Sequence, residues 1–275
     1  MAALKHTQAD EDQRPAAQKS YREILGEEIQ AGLTELRRSG SGLWISAFSA
    51  GLDLGFSLLL MAVFMTAATG VLDAPFTELL VANAYTVGFI FVVLGRSELF
   101  TEHTTLAVLP VLNRRTTPLS LIRLWVIVYS GNLVGTGLFA VIAAKVGPAL
   151  GVIDPEAFRV LGDRLLDVDA ATTFQSAILA GWLMGLLSWL VTAARDTISQ
   201  IVIIWLITAS IGFAHLPHCI AGTTEVVAAM LSGHPAGAAE ALSFLLWATL
   251  GNAFGGVFFV GVIKYAHVVR SESEP

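Results

Sequence analysis

The fold class predicted by this 275-residue sequence is an all-α membrane protein. Six transmembrane helices are expected as a 3+3 inverted repeat, with helices two and five broken. Three observations carry that expectation: the composition, six apolar stretches, and a likeness between the two halves of the chain. Hydrophobic residues make up 55% of the sequence and charged residues 14%, with a mean hydropathy of +0.69. Soluble domains run at about 45–50% apolar and about 25% charged. The apolar content excludes a disordered chain. The single cysteine, Cys219, excludes a disulfide-rich secreted domain. A formal net charge of −6 without a dense basic cluster speaks against nucleic-acid binding. Twenty-five glycines suit close-packed helices in a bilayer.

The first 40 residues are polar and hold no apolar core of a signal peptide, so no cleaved leader is expected. Residues 1–19 read as a disordered cytoplasmic tail. Over 20–40, Tyr21, Ile24, Leu25, Ile29, Leu33 and Leu36 recur at helical spacing, with Arg22, Glu23, Glu27 and Glu28 on the other face. This pattern predicts an amphipathic helix lying along the membrane or under the bundle. The six-span domain is expected over 41–265, with a short cytoplasmic tail at 266–275.

The apolar stretches are 43–69, 79–112, 119–145, 173–194, 198–230 and 240–263. Each exceeds the roughly 20 residues that a crossing needs. The second and fifth are unusual, because they are long and carry polar residues in their middles: Gly95-Arg96-Ser97-Glu98-Leu99-Phe100-Thr101-Glu102-His103, and Gly212 through Thr224 with His215, Pro217 and His218. Non-helical backbone at membrane depth survives only inside protein or beside a water-filled cavity. Pro217 lacks an amide proton and disfavours helix at Leu216, which centres the second break on 215–218 and predicts a helix resuming near 221–224. With the N-terminus in the cytoplasm, 12 of the 16 lysines and arginines fall on the inner side, so both termini are expected there. The longest outer loop, 146–172, is acidic and includes Asp169.

The halves match weakly. Ala50-Gly51-Leu52-Asp53-Leu54-Gly55 corresponds to Ala180-Gly181-Trp182-Leu183-Met184-Gly185, and Gly131-Asn132-Leu133-Val134-Gly135 to Gly251-Asn252-Ala253-Phe254-Gly255. The broken stretches lie between them in corresponding positions. Three spans per half give opposite orientations, the inverted-repeat pattern of transporters and channels. The glycines let helix backbones approach. Asn132 and Asn252 either tie helices together or touch substrate.

At the first break, Glu98-Leu99-Phe100-Thr101 resembles the Asp/Glu-Leu-Phe-Thr signature of the formate/nitrite transporter family. The second break, from Gly212-Phe213 to His218-Cys219-Ile220-Ala221, resembles that family's Gly-Phe-x-His-Ser-Ile-Ala-Asn segment, and the two Gly-Asn-x-x-Gly runs also fit. The resemblance covers about 40–265. It implies an aquaporin-like fold, assembly as a homopentamer with one pore per protomer in the cell inner membrane, and passage of small monovalent anions, in several members with a proton. Carried over, Thr101 and His218 face each other at mid-pore, with Leu99 and Phe100 in the apolar constrictions. His215 is the rival to His218, which fits only if Leu216-Pro217 is an insertion. Several positions depart from the family: Asp169 where a vestibule lysine is usual, Gly185 where an asparagine is usual, Arg96 before the first loop, and Glu102-His103 after the threonine.

The chemistry of these residue types fits passage of a weak acid. A monovalent anion crossing a dry constriction loses its hydration at a cost of several kcal/mol or more. Taking up a proton removes that cost, and histidine exchanges protons near neutral pH. For Arg96, Glu98 and Glu102 the default is an ion-paired or hydrogen-bonded network. Glu98 is expected to accept from exposed loop amides, and Arg96 can instead attract an anion. Glu102 and His103 are open between a capping or solvent-facing place and a pore role. Glu225 is read as a network residue first. No phosphate loop, metal-spaced Cys/His cluster or catalytic-triad signature is present, so neither a cofactor nor a metal is expected, and the chain is not read as an enzyme. The alternatives are an aquaporin-like channel for a small neutral solute, although paired Asn-Pro-Ala motifs are absent, a membrane-embedded enzyme holding a metal on Glu102, His103, His215 and His218, or a transport-inactive structural or sensor protein.

Overall fold

In the computed structural model, residues 18–271 are described, and every regular element among them is helical. The 1–19 tail therefore lies almost wholly outside the described residues. Helix α1 (Tyr21–Arg37) begins with a capping box: Ser20 Oγ accepts from the Glu23 amide at 3.2 Å, and the Ser20 amide donates to the Glu23 carboxylate at 2.7 Å. Its apolar stripe is buried as expected. The polar face departs from expectation. Glu28 is fully buried, because its carboxylate accepts from Ser188 Oγ at 3.1 Å and Thr192 Oγ1 at 2.6 Å on a helix far along the chain. Burial pushes the Glu28 carboxyl above the usual range, and those hydroxyl contacts offset part of the shift.

Among the described residues, five helices are long and apolar enough to cross a bilayer. They are α2 (Gly40–Ala68), α3 (Ala74–Gly95), α6 (Pro118–Ala149), α8 (Ala170–Ala193) and the continuous run of α11 (Ala238–Phe254), a π-helical stretch (Gly255–Val262) and α12 (Ile263–Ser271). The last run carries helix through most of the tail expected at 266–275.

After α3 the chain leaves helical geometry at Arg96, which is left-handed (φ 58°), and resumes in α4 (Phe100–Leu106) and α5 (Leu109–Leu112). The 198–230 stretch is divided into α9 (Thr197–Phe213) and α10 (Cys219–Leu231), with His215 left-handed (φ 50°). Helix α10 starts two residues before the expected 221, because the His218 ring caps it. The 146–172 segment, read as a loop, contains the helix α7 (Pro155–Leu166), whose apolar face (Phe158, Leu161, Leu165) is buried.

Two helix crossings of the same design position these interruptions. α2 crosses α6 where a Cβ on Gly51 would come 2.4 Å from the Asn132 carbonyl, and α8 crosses α11 where a Cβ on Gly181 would come 2.1 Å from the Asn252 carbonyl. Either substitution would force the backbones apart.

Candidate functional site

Both asparagines act as backbone ties. Asn132 Oδ1 accepts from the Phe100 amide at 2.9 Å, while its Nδ2 donates to the carbonyls of Ala47 and Glu98, each at 2.8 Å. Asn252 repeats the pattern: Oδ1 accepts from the Cys219 amide at 2.8 Å, and Nδ2 donates to Ala177 at 2.8 Å and Pro217 at 2.9 Å. Each side chain satisfies backbone groups that an interrupted helix leaves exposed.

Held this way, the start of α4 meets the start of α10. Thr101 Oγ1 lies 2.9 Å from His218 Nε2, and the two residues are 0% and 1% exposed. The tautomer follows from the cap. His218 Nδ1 accepts from the amides of Ile220 at 3.3 Å and Ala221 at 3.1 Å, so in the neutral ring Nε2 carries the proton and donates to Thr101. The threonine O–H is then free to donate elsewhere. Phe89 stands edge-on to the imidazole, with centroids 5.2 Å apart. Leu99 is fully buried at the α4 N-cap, and Phe100 packs edge-to-face on Trp125 and Tyr129 of α6.

On the α1 face of this centre, Glu98 is held by ion pairs rather than by the loop amides expected. Its carboxylate accepts from Arg38 and contacts His103 Nε2, and Arg38 also binds Glu35 at 2.6 Å. The Glu98 amide instead donates to Ser46 Oγ at 3.3 Å. Arg38 was counted from the sequence only as an inner-side charge. A cavity of about 310 Å³ lies here, lined by Glu35, Arg38, Arg96, Glu98, Glu102 and His103 among others. Arg96 is exposed, and Glu102 is partly so.

On the α7 face, His215 is exposed and lies 3.6 Å from Glu78, which also pairs with Arg164 at 2.6 Å. Arg164, His215, His218 and Glu225 line one small cavity of about 30 Å³. The structure thus separates His215 from the Thr101 contact and brings in Arg164, which sequence reasoning passed over. The signal was present as one of two arginines, Arg159 and Arg164, in the otherwise acidic 146–172 segment. Asp169, in contrast, is the exposed N-cap of α8 and borders a different cavity, with Phe244 and Trp247. Hydrogen bonds from Thr172 hold its carboxyl below the usual range. Among the described residues no group of three or more His, Cys, Asp or Glu is placed to hold a metal ion. Glu102 and His103 lie on one side of the centre and His215 on the other.

The formate/nitrite transporter family model matches residues 22–266. Inner membrane protein YfdC of Escherichia coli (strain K12) is 34% identical over 266 residues, covering 96% of this chain and 83% of that protein. The nitrite transporter NirC of Salmonella typhimurium is 27% identical, covering 84% of this chain and 85% of that one. The probable formate transporter of Methanothermobacter thermautotrophicus is also 27% identical, with 80% and 86% covered. Two solved structures share the fold: an FNT family ion channel (TM-score 0.79, 22% identity, 92% of this chain and 99% of that chain) and a pentameric formate channel with formate bound (TM-score 0.71, 23% identity, 84% and 98%).

Proposed function

The chain belongs to the formate/nitrite transporter family, a family of transporters rather than enzymes, and from that premise we propose that it passes small monovalent anions or their neutral acids across the inner membrane. The observation that carries this reading is the buried Thr101–His218 contact at 2.9 Å between the two interrupted helices. A permeant that has shed its water there meets the free Thr101 O–H, whose oxygen is itself held by the His218 Nε2–H. Hydrogen bonds to a charged group are each worth about 1.5–3 kcal/mol. Leu99 and Phe100 beside them supply the apolar constriction that a hydrated ion crosses poorly.

In this reading six spans form a 3+3 inverted repeat: α2, α3 with α4 and α5, and α6, then α8, α9 with α10, and α11 through α12. Support comes from the matching asparagine ties and from left-handed residues at corresponding places, Arg96 with His215 and Arg114 with Gly233. The α1 face, which holds Arg37, Arg38, Arg114, Arg115 and Arg195, is the cytoplasmic one by the positive-inside rule. The named pentameric relative supports a homopentamer.

A proteoliposome flux screen tests the function, with formate, nitrite, hydrosulfide, acetate, lactate, ammonium and glycerol compared at two pH values. Formate or nitrite should outpace glycerol. Thr101→Val and His218→Leu should each lower anion flux at least tenfold. Glycerol passing faster than formate would favour a neutral-solute channel, and no flux of any solute would favour a sensor.

A further inference from the structure

We propose that the proton accompanying the anion is exchanged at His103, in the cavity on the α1 face, and not at the central His218; the proposal rests on the anion-passage reading above. The central ring is poorly placed for that task. A second proton on His218 would have to sit on Nδ1, where two backbone amides already donate. Taking it up would break both contacts and uncap α10.

His103 has the opposite arrangement. It is 2% exposed, its Nε2 rests on the Glu98 carboxylate, and its Nδ1 is buried without a hydrogen-bond partner among the described residues. Leaving such an atom unpaired is costly, so an orphan of this kind calls for an occupant. The ring borders the cavity of about 310 Å³. A water molecule takes about 30 Å³, so several waters or a formate-sized ion fit there. A proton arriving at Nδ1 makes an ion pair with Glu98 in place of an isolated buried charge, which is the condition under which a buried charge is tolerated.

The charges around the ring fit proton exchange before entry. Glu28 and Glu35 come from α1, Arg38 from the turn before α2, and Arg96, Glu98 and Glu102 from the α3–α4 segment. Ser188 and Thr192 from α8 and Gln200 from the first turn of α9 line the cavity, and from α6 the Trp125 indole donates to the His103 carbonyl at 3.1 Å. α5 and the π stretch carry no titratable residue, and Glu240 of α11 caps that helix at its far end. Three carboxylates, Glu35, Glu98 and Glu102, line the cavity against two arginines, Arg38 and Arg96, and disfavour an approaching anion, and conversion to the neutral acid removes that repulsion.

For outward passage the doubly protonated His103 gives its Nδ1 proton to an oxygen of the anion. The permeant leaves as the neutral acid, and His103 returns to the neutral ring with its Nε2–H on Glu98. Cytoplasmic hydronium then reloads Nδ1. Inward passage runs the same steps in reverse. One proton and one anion move together, and no net charge crosses. Thr101 lies two residues before His103 on the same short helix, about 3 Å along its axis at 1.5 Å per residue, so the acid forms beside the constriction.

The experiment measures formate-driven proton movement in proteoliposomes with an internal pH dye and a clamped potential. The wild-type chain should move one proton per formate, and its flux should rise at least fivefold from pH 7.5 to 5.5. His103→Gln should flatten that rise to under twofold, while His218→Asn should lower flux at both pH values and leave the ratio. Nitrogen-15 NMR of the wild-type ring, which needs no variant, should show Nδ1 gaining a proton between pH 8 and 5 while Nε2 stays protonated. Formate flux without protons, an intact ratio in His103→Gln, a ratio lost only in His218→Asn, or an Nδ1 that never titrates would each overturn the proposal. Anion flux with an unchanged ratio leaves the anion-passage reading standing, whereas no anion flux at all removes both.

Discussion

Asn132 and Asn252 show how a single side chain holds a buried break between two helices. Each makes three backbone contacts between 2.8 and 2.9 Å, and each residue is 0% exposed. Net worth per bond is about 0.5–1.5 kcal/mol, and groups left unpaired cost more. Asn132→Ala and Asn252→Ala are each expected to destabilise the protein by about 2–4 kcal/mol on that basis, seen as a lower thermal midpoint in detergent. Asn→Asp at either position should do no better, since it turns the two-carbonyl donor into an acceptor. On the α7 face, Arg164 is a cation that borders the cavity shared with His218, and Asp169 borders another. Surface potentials of a few kT change entry rates and are screened by salt. Arg164→Gln should therefore slow anion entry from the α7 face several-fold at low ionic strength and less at high, while Asp169→Asn changes entry little. Initial-rate flux at two salt concentrations measures both.

Docking of α1 depends on a buried acid. Glu28 accepts only from hydroxyls of Ser188 and Thr192, with no cation bound to it in the described contacts, while Lys19 beside it binds Glu27 and the Thr192 carbonyl, each at 2.7 Å. Its folded carboxyl titrates above the unfolded one because burial disfavours the charge. The linked stability is therefore fully present at pH below the unfolded value near 4.3 and is lost as pH rises through the raised folded value. Glu28→Gln keeps an acceptor for the hydroxyls and removes the buried charge. Its thermal midpoint should exceed that of the wild type by a few degrees at pH 7.5, and the gap should close by pH 4. A gap that widened in acid would mean that Glu28 is docked as a charged group. Gly32 sets a second condition, since a Cβ there would lie 2.4 Å from the Leu106 carbonyl. α1 therefore packs directly under α4, the helix that carries Thr101 and His103.

Across the whole molecule, large apolar side chains face outward along the long helices: Val126, Val134, Leu138 and Ile142 on α6, Val202 and Leu206 on α9, and Leu242 and Leu246 on α11. Lipid and neighbouring protomers are the surroundings that suit such a surface. Native mass spectrometry in mild detergent should give five copies; monomers and dimers alone would sink the homopentamer. Val152, in the turn between α6 and α7, is 46% exposed. Val152→Cys should react with an impermeant thiol reagent added outside the cell, and labelling only from the cytoplasm would invert the proposed orientation.

Much of this was legible from local pattern. Helical spacing over Tyr21–Leu36 marks the buried stripe of α1, hydropathy marks six apolar stretches of which five hold a described helix of crossing length, and the polar run Gly95–His103 and Pro217 mark the segments within which helical geometry is interrupted. The resemblance, rather than spacing, named Thr101 and His218 as facing residues. These features depend on neighbours within a turn or two, on side-chain hydropathy and on a missing amide proton, all of which a sequence displays directly. Only the tertiary structure decided that Glu28 is buried, that Arg38 holds Glu98, that Arg164 rather than Asp169 borders the cavity with His218, and that one nitrogen of His103 finds no partner among the described residues beside a cavity. The partners concerned lie 60 residues apart for Arg38 and Glu98 and 164 apart for Glu28 and Thr192. A charge on a helix has the same local pattern whether it faces water or a hydroxyl from a distant helix, and only the packing that removes the water distinguishes the two.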